Sequence, residues 1–167
     1  YKAVKAAEPK KNKKIAVFGI GGVGHMAIQF AKIEGCEVSG VSRKEKHLEV
    51  AKKLGADNIF VYSSNQEQFL QDLNEKYGLF DAAIKSIKKG GTVVIATVGK
   101  IPNFLAFEEK TIRGTLIGSR KDMEDVIKIS DEHKLEVVTE SFPLEQANEV
   151  LIRLKNSEID ARAVLIP

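Results

Sequence analysis

Glycines 19, 21 and 24 in the run Gly19-Ile20-Gly21-Gly22-Val23-Gly24 constrain this chain more than any other feature, because they stand where an apolar segment must hand over to a helix. Lys14-Ile15-Ala16-Val17-Phe18-Gly19 reads as a strand buried on both faces of a parallel sheet. Directly after the turn, Val23, Ala27, Ile28, Phe30 and Ala31 recur at helical spacing, and Gly35 is placed to end that helix. Each glycine has a separate task in such a junction. Gly19 permits the sharp turn, Gly21 lets the backbone approach a pyrophosphate, and Gly24 lets the helix pack tightly on the strand. An anion would rest at the helix N-terminus, where free amide N–H groups and the helix dipole favour negative charge. The glycine spacing alone is a weak signal; the strand before it and the helix after it are what strengthen it.

The alternation continues downstream. Residues 37–42 read as a second strand, and Leu48, Val50, Ala51 and Leu54 form the stripe of a helix that stops at Gly55. Residues 58–61 read as a third strand and 65–77 as a further helix. Strands follow at 91–97 and 111–117, a helix between Asp122 and Lys134, a short strand at 136–139, a helix from about 144 to 155, and a last strand at 163–166. This order predicts an α/β fold: one Rossmann-type domain over residues 1–167, a doubly wound parallel sheet covered by helices on both faces. A methyltransferase fold binding S-adenosylmethionine is the nearest rival, but it does not call for this three-glycine spacing.

The end of the second strand selects the cofactor. A site for NAD expects an acidic residue there to accept from the ribose 2′-hydroxyl. This chain instead has Ser42-Arg43-Lys44, with Lys46 and His47 following. A serine hydroxyl can donate to a 2′-phosphate and a guanidinium can pair with it, so NADP(H) is expected over NAD(H). Cations at a helix start are mildly unfavourable on their own, and so ask for another reason.

Composition narrows the remaining classes. With 43% hydrophobic and 29% charged residues in 167, the chain is long enough to bury one core. No apolar run is long enough to span a bilayer, and no secretory leader is seen, so a cytoplasmic setting without membrane association is expected. One cysteine, Cys36, and three scattered histidines give no metal-ligand spacing. Lys2, Lys5, Lys10, Lys11, Lys13 and Lys14 read as a solvated lead-in; no nucleic-acid motif accompanies them, and the net charge is only +3. His25 and Cys36 read as packing residues, and His133 as part of a solvated helix end.

The stretch from Gly19 through His25-Met26-Ala27-Ile28-Gln29-Phe30-Ala31 to Lys32, and again Ala51 to Asp57, resembles the zinc-dependent medium-chain alcohol dehydrogenases. Ser42-Arg43, the run Gly118 to Glu124 and Asp160-Ala161-Arg162 are similar to its NADP(H)-dependent, cinnamyl-alcohol-dehydrogenase-like branch. The resemblance implies hydride transfer between the nicotinamide and a primary alcohol or aldehyde, at a zinc held by a preceding catalytic domain that this chain lacks. Residues 157–167 would match the strand that returns toward that domain. It also implies that Val98 and Gly99 lie beside the nicotinamide, with Ile117 and Gly118 near, and that Arg162 reaches the pyrophosphate. A homodimer or higher oligomer is implied as well. The chain opens at Tyr1 as a piece of a longer protein would, and no catalytic residue is expected within it. One departure stands out. After Phe80-Asp81 the sequence runs straight through Ala82-Ala83-Ile84-Lys85 to Gly90-Gly91, so a strand and loop of roughly ten to fifteen residues are missing or not shown. A stand-alone NADPH sensor and a remnant that binds nothing are the competing readings.

Overall fold

The computed structural model describes residues 1–62, 78–97 and 108–167. In chain order its elements are α1 (Lys2–Ala6), β1 (Lys14–Phe18), α2 (Gly24–Ile33), β2 (Glu37–Ser42), α3 (Glu45–Lys53), β3 (Asn58–Val61), α4 (Gly78–Ser86), β4 (Thr92–Ile95), β5 (Thr111–Gly114), α5 (Arg120–Glu132), β6 (Thr139–Pro143), α6 (Ala147–Lys155) and β7 (Arg162–Ile166). A 3-10 turn, Leu144–Gln146, leads into α6. The expected helix at 65–77 lies outside the described residues.

Every strand pair among the described residues is parallel, as the βαβ alternation requires. β2 lies between β1 and β3, with Ala16 opposite Ser39 and Gly40 opposite Ile59. β4 pairs with β5 and β6 with β7 as separate ladders. The main core lies between the first sheet and its helices: Ile20, Ile28, Ala31, Val38 and Ala51 are all at most 1% exposed. No helix among the described residues is long and apolar enough to cross a membrane.

Two sequence expectations change, and two further features of the fold bear on the site. The lysine-rich lead-in is partly docked: α1 buries Val4 in the main core, and the Tyr1 ring packs edge-on against Phe30 with centroids 5.5 Å apart. The strand expected at 136–139 sits later, at 139–143, because the Gln29 side chain takes up the backbone of Glu136. Its amide donates to the Glu136 carbonyl at 2.8 Å and its oxygen accepts from the Glu136 N–H at 2.8 Å. Residues 82–85 fall inside α4, whose Ala83 and Ile84 bury against Val93, Ile95, Ile112 and Phe18. Finally, the sheet is interrupted. Phe18 of β1 joins the apolar cluster that includes Val93 of β4, but the two strands form no hydrogen-bonded ladder, leaving β1 at a sheet edge among the described residues. That gap is where a strand missing after Asp81 would leave one.

Candidate functional site

The glycine turn occupies the junction between β1 and α2. Gly19 has φ +83°, a left-handed conformation that disfavours a side chain, and its N–H donates to the Val41 carbonyl at 2.9 Å, fixing the turn to β2. A Cβ on Gly24 would stand 2.0 Å from the Gly19 carbonyl oxygen, so helix and strand are in closest contact there. At Gly21 the situation is reversed: a Cβ would meet nothing within 4 Å, leaving open space before the backbone. No side chain caps α2, and the amides of Gly21, Gly22, Val23 and Gly24 make no hydrogen bond among the described residues. Val23 is 57% exposed beside them. Free donors, an aligned helix and empty space thus coincide at one point, the arrangement that favours an anion.

Two side chains hold this turn. His25 is fully buried, and its Nδ1 donates to the Gly21 carbonyl at 3.1 Å, which already accepts the His25 backbone N–H. It packs and bonds as the sequence suggested. Arg162, arriving on β7, donates from its guanidinium to the Gly22 carbonyl at 3.1 Å. A residue 140 positions away is therefore seated against the glycine turn.

The basic segment after β2 is divided. Ser42 is buried at the strand end, its hydroxyl accepting the Lys44 N–H at 3.3 Å and standing 3.5 Å from His47 Nδ1. Arg43 is exposed and makes no ion pair or hydrogen bond among the described residues. Lys44 and Lys46 are both committed elsewhere. Lys44 Nζ donates to the carbonyls of Asn156 and Ser157 at 2.8 and 2.9 Å, satisfying acceptors at the C-terminal end of α6. Lys46 Nζ donates to the Glu158 carbonyl at 2.7 Å and forms an ion pair with Asp160 Oδ1 at 2.8 Å. His47 is buried, with Nε2 3.7 Å from the same carboxylate oxygen. Burial lowers its pKa from the ordinary histidine value, against the opposing pull of Asp160.

Of the remaining candidates, Ile117 follows β5 with its side chain 86% exposed and its carbonyl accepting from Lys2 Nζ. Gly118 opens the turn into α5, which a capping box between Ser119 and Asp122 starts. Val98 and Gly99 lie outside the described residues. The partners of Lys44 and Asp160 lie more than a hundred positions away along the chain, so these contacts follow from no local spacing. Cys36 is buried, its thiol directed to the Lys10 carbonyl at 3.5 Å.

Known proteins share this framework. An alcohol dehydrogenase of Geobacillus stearothermophilus is 34% identical over 183 residues, covering 99% of this chain and 54% of the relative. Because 183 aligned positions exceed the 167 residues here, the relative carries residues that this chain lacks. Among solved structures, the alcohol dehydrogenase of the archaeon Aeropyrum pernix matches with a TM-score of 0.86 at 26% identity, covering 99% of this chain and 54% of its own. Acetophenone reductase from Geotrichum candidum, in complex with NAD, matches at 0.84 and 26%, covering 99% and 51%. The chain thus spans about half the length of the relatives it matches. The profile of the zinc-binding dehydrogenases matches residues 22–132, from the glycine turn to the end of α5, and the chain belongs to that family.

Proposed function

We propose that this chain is the coenzyme-binding portion of an alcohol dehydrogenase or aldehyde reductase, and that it holds NADP(H) across the glycine turn and the end of β2. The observation that carries the reading is the open space before Gly21 at an uncapped helix N-terminus. The amides of residues 21–24 would bind the pyrophosphate, while Arg162 keeps the Gly22 peptide in place and adds positive charge. Arg43, exposed and without an ion pair among the described residues, would meet a 2′-phosphate; Ser42 would sit beneath it. Val98, Gly99 and Ile117 would border the nicotinamide. When bound, the nicotinamide would supply or accept the hydride exchanged with a primary alcohol or aldehyde.

One solved relative holds NAD, so family membership does not choose between the two cofactors. The choice rests on charge. No carboxylate occupies residues 42–44, and a free guanidinium there favours the phosphorylated ribose. Zinc is a separate matter: among the described residues no group of three or more histidine, cysteine, aspartate or glutamate side chains is placed to hold a metal. The described residues do not fit a zinc centre, and the catalytic zinc would belong to another part of the protein. A cytoplasmic setting and self-association accord with this reading.

The interrupted sheet beside β1 favours one competing reading, a remnant that binds no cofactor. Titration with NADPH and NADH, each followed by its own fluorescence, separates the two. Saturable binding is expected, with Arg43→Asp weakening NADPH far more than NADH. Equal losses would remove Arg43 from the 2′-phosphate, and no saturation with either nucleotide would favour the remnant.

A further inference from the structure

Residues 156–162 run as a strap from the basic segment after β2 to the glycine turn after β1. At one end the strap accepts both Lys44 and Lys46; at the other, Arg162 donates to the Gly22 carbonyl and the Ala161 carbonyl lies beside Gly22. It is anchored from below, where the Glu140 carboxylate accepts the Asp160 N–H and stands 3.7 Å from Arg153. Left-handed backbone at Ser157 (φ +56°) and Ala161 (φ +64°) turns the chain at each end.

The strap delivers one carboxylate to the basic segment. Asp160 Oδ1 is 2.8 Å from Lys46 Nζ and 3.7 Å from His47 Nε2, and the His47 ring in turn stands 3.5 Å from the Ser42 hydroxyl. A negative charge is thus one imidazole away from the serine that ends β2. We propose that Asp160 is a specificity-determining residue: it neutralises Lys46 and opposes a 2′-phosphate, so that the preference for NADP(H) over NAD(H) is set by Arg43 against Asp160. This rests on the cofactor reading above and adds to it a second, opposing charge, contributed by a segment remote in sequence.

The geometry dictates what removal does. Without the carboxylate charge, Lys46 keeps the Glu158 carbonyl as its one partner among the described residues, and its charge is no longer cancelled. A ligand phosphate then meets one more net positive charge within a Debye length. A cofactor with a bare ribose hydroxyl gains little. The test measures dissociation constants of NADPH and NADH, by their fluorescence, for the full chain and for Asp160→Asn, Lys46→Met and the double variant. Asp160→Asn is expected to raise the NADPH-over-NADH affinity ratio by about three- to ten-fold, with NADH within two-fold of the parent. Lys46→Met leaves the carboxylate uncancelled and lowers the ratio, and the double variant returns it to within two-fold of the parent.

A ratio unmoved by Asp160→Asn, or a double variant that behaves as Lys46→Met alone, would overturn the proposal while leaving cofactor binding intact. Should Asp160→Asn melt before it can be titrated, Lys46→Met decides: an unchanged ratio refutes the opposing carboxylate. If neither nucleotide binds the parent chain, both readings fall together.

Discussion

Gly24→Ala and Gly21→Ala place the same methyl group three residues apart and should fail in opposite ways. At Gly24 the new Cβ would be 2.0 Å from the Gly19 carbonyl oxygen and 3.0 Å from its carbon, where ordinary carbon contacts lie at about 3.5–4.0 Å. The obstacle is backbone at a left-handed turn, which cannot swing aside as a side-chain tip would. Overpacking of this kind costs about 1–3 kcal/mol, and a backbone obstacle places it near about 3 kcal/mol. Alanine offsets about 1 kcal/mol of that through its better helix propensity. The net loss of about 2 kcal/mol corresponds to a melting point about 4–8 °C lower for a domain of this size. At Gly21 nothing lies within 4 Å, so stability should stay within about 0.5 kcal/mol of the parent. The methyl group would instead occupy the space assigned to the pyrophosphate, weakening NADPH by at least about ten-fold, or about 1.4 kcal/mol. Scanning calorimetry and a fluorescence titration read the two effects separately. A Gly21→Ala protein that binds as the parent does would refute the placement of the phosphates, and an unaltered melting point for Gly24→Ala would refute the contact that defines the turn.

Two further outcomes follow from the strap and its neighbours. Because burial holds the His47 pKa below its ordinary value of 6.5, the unfolded chain takes up that proton first; stability present above pH 6.5 should fall on acidification, and His47→Gln should flatten this part of a urea-denaturation profile between pH 7.5 and 5.5. Ala161→Gly relieves a left-handed alanine at φ +64° and should raise stability by about 1 kcal/mol, read as a melting point about 2–4 °C higher.

Features set by neighbours in sequence could be read without coordinates. The turn at Gly19, Gly21 and Gly24 is one, since each glycine answers a local steric demand; β1, α2, β2 and α3 are others, since their apolar spacing repeats within a few residues. What sequence reading missed depends on partners far along the chain. Residues 136–138 have strand composition, but the Gln29 amide, more than a hundred positions away, satisfies the Glu136 backbone and leaves the ladder to begin at Thr139. The lead-in lysines hid Val4, which needs Ile28 and Phe30 to become core. Lys46 has Glu45 and Glu49 close by in sequence, yet its ion pair is with Asp160, from the far end of the chain, which no local pattern announces. Arg162 could be placed only by resemblance, since no spacing rule links it to Gly22.

The central claim is that an anion rests on the free amides where β1 passes into α2. Backbone amide NMR of the uniformly 15N-labelled chain, titrated with NADPH, tests it residue by residue. Saturable shifts are expected, largest at Gly21, Gly22, Val23 and Gly24 and accompanied by Arg43. Shifts that spare these amides, or a spectrum unchanged at saturating nucleotide, would contradict it.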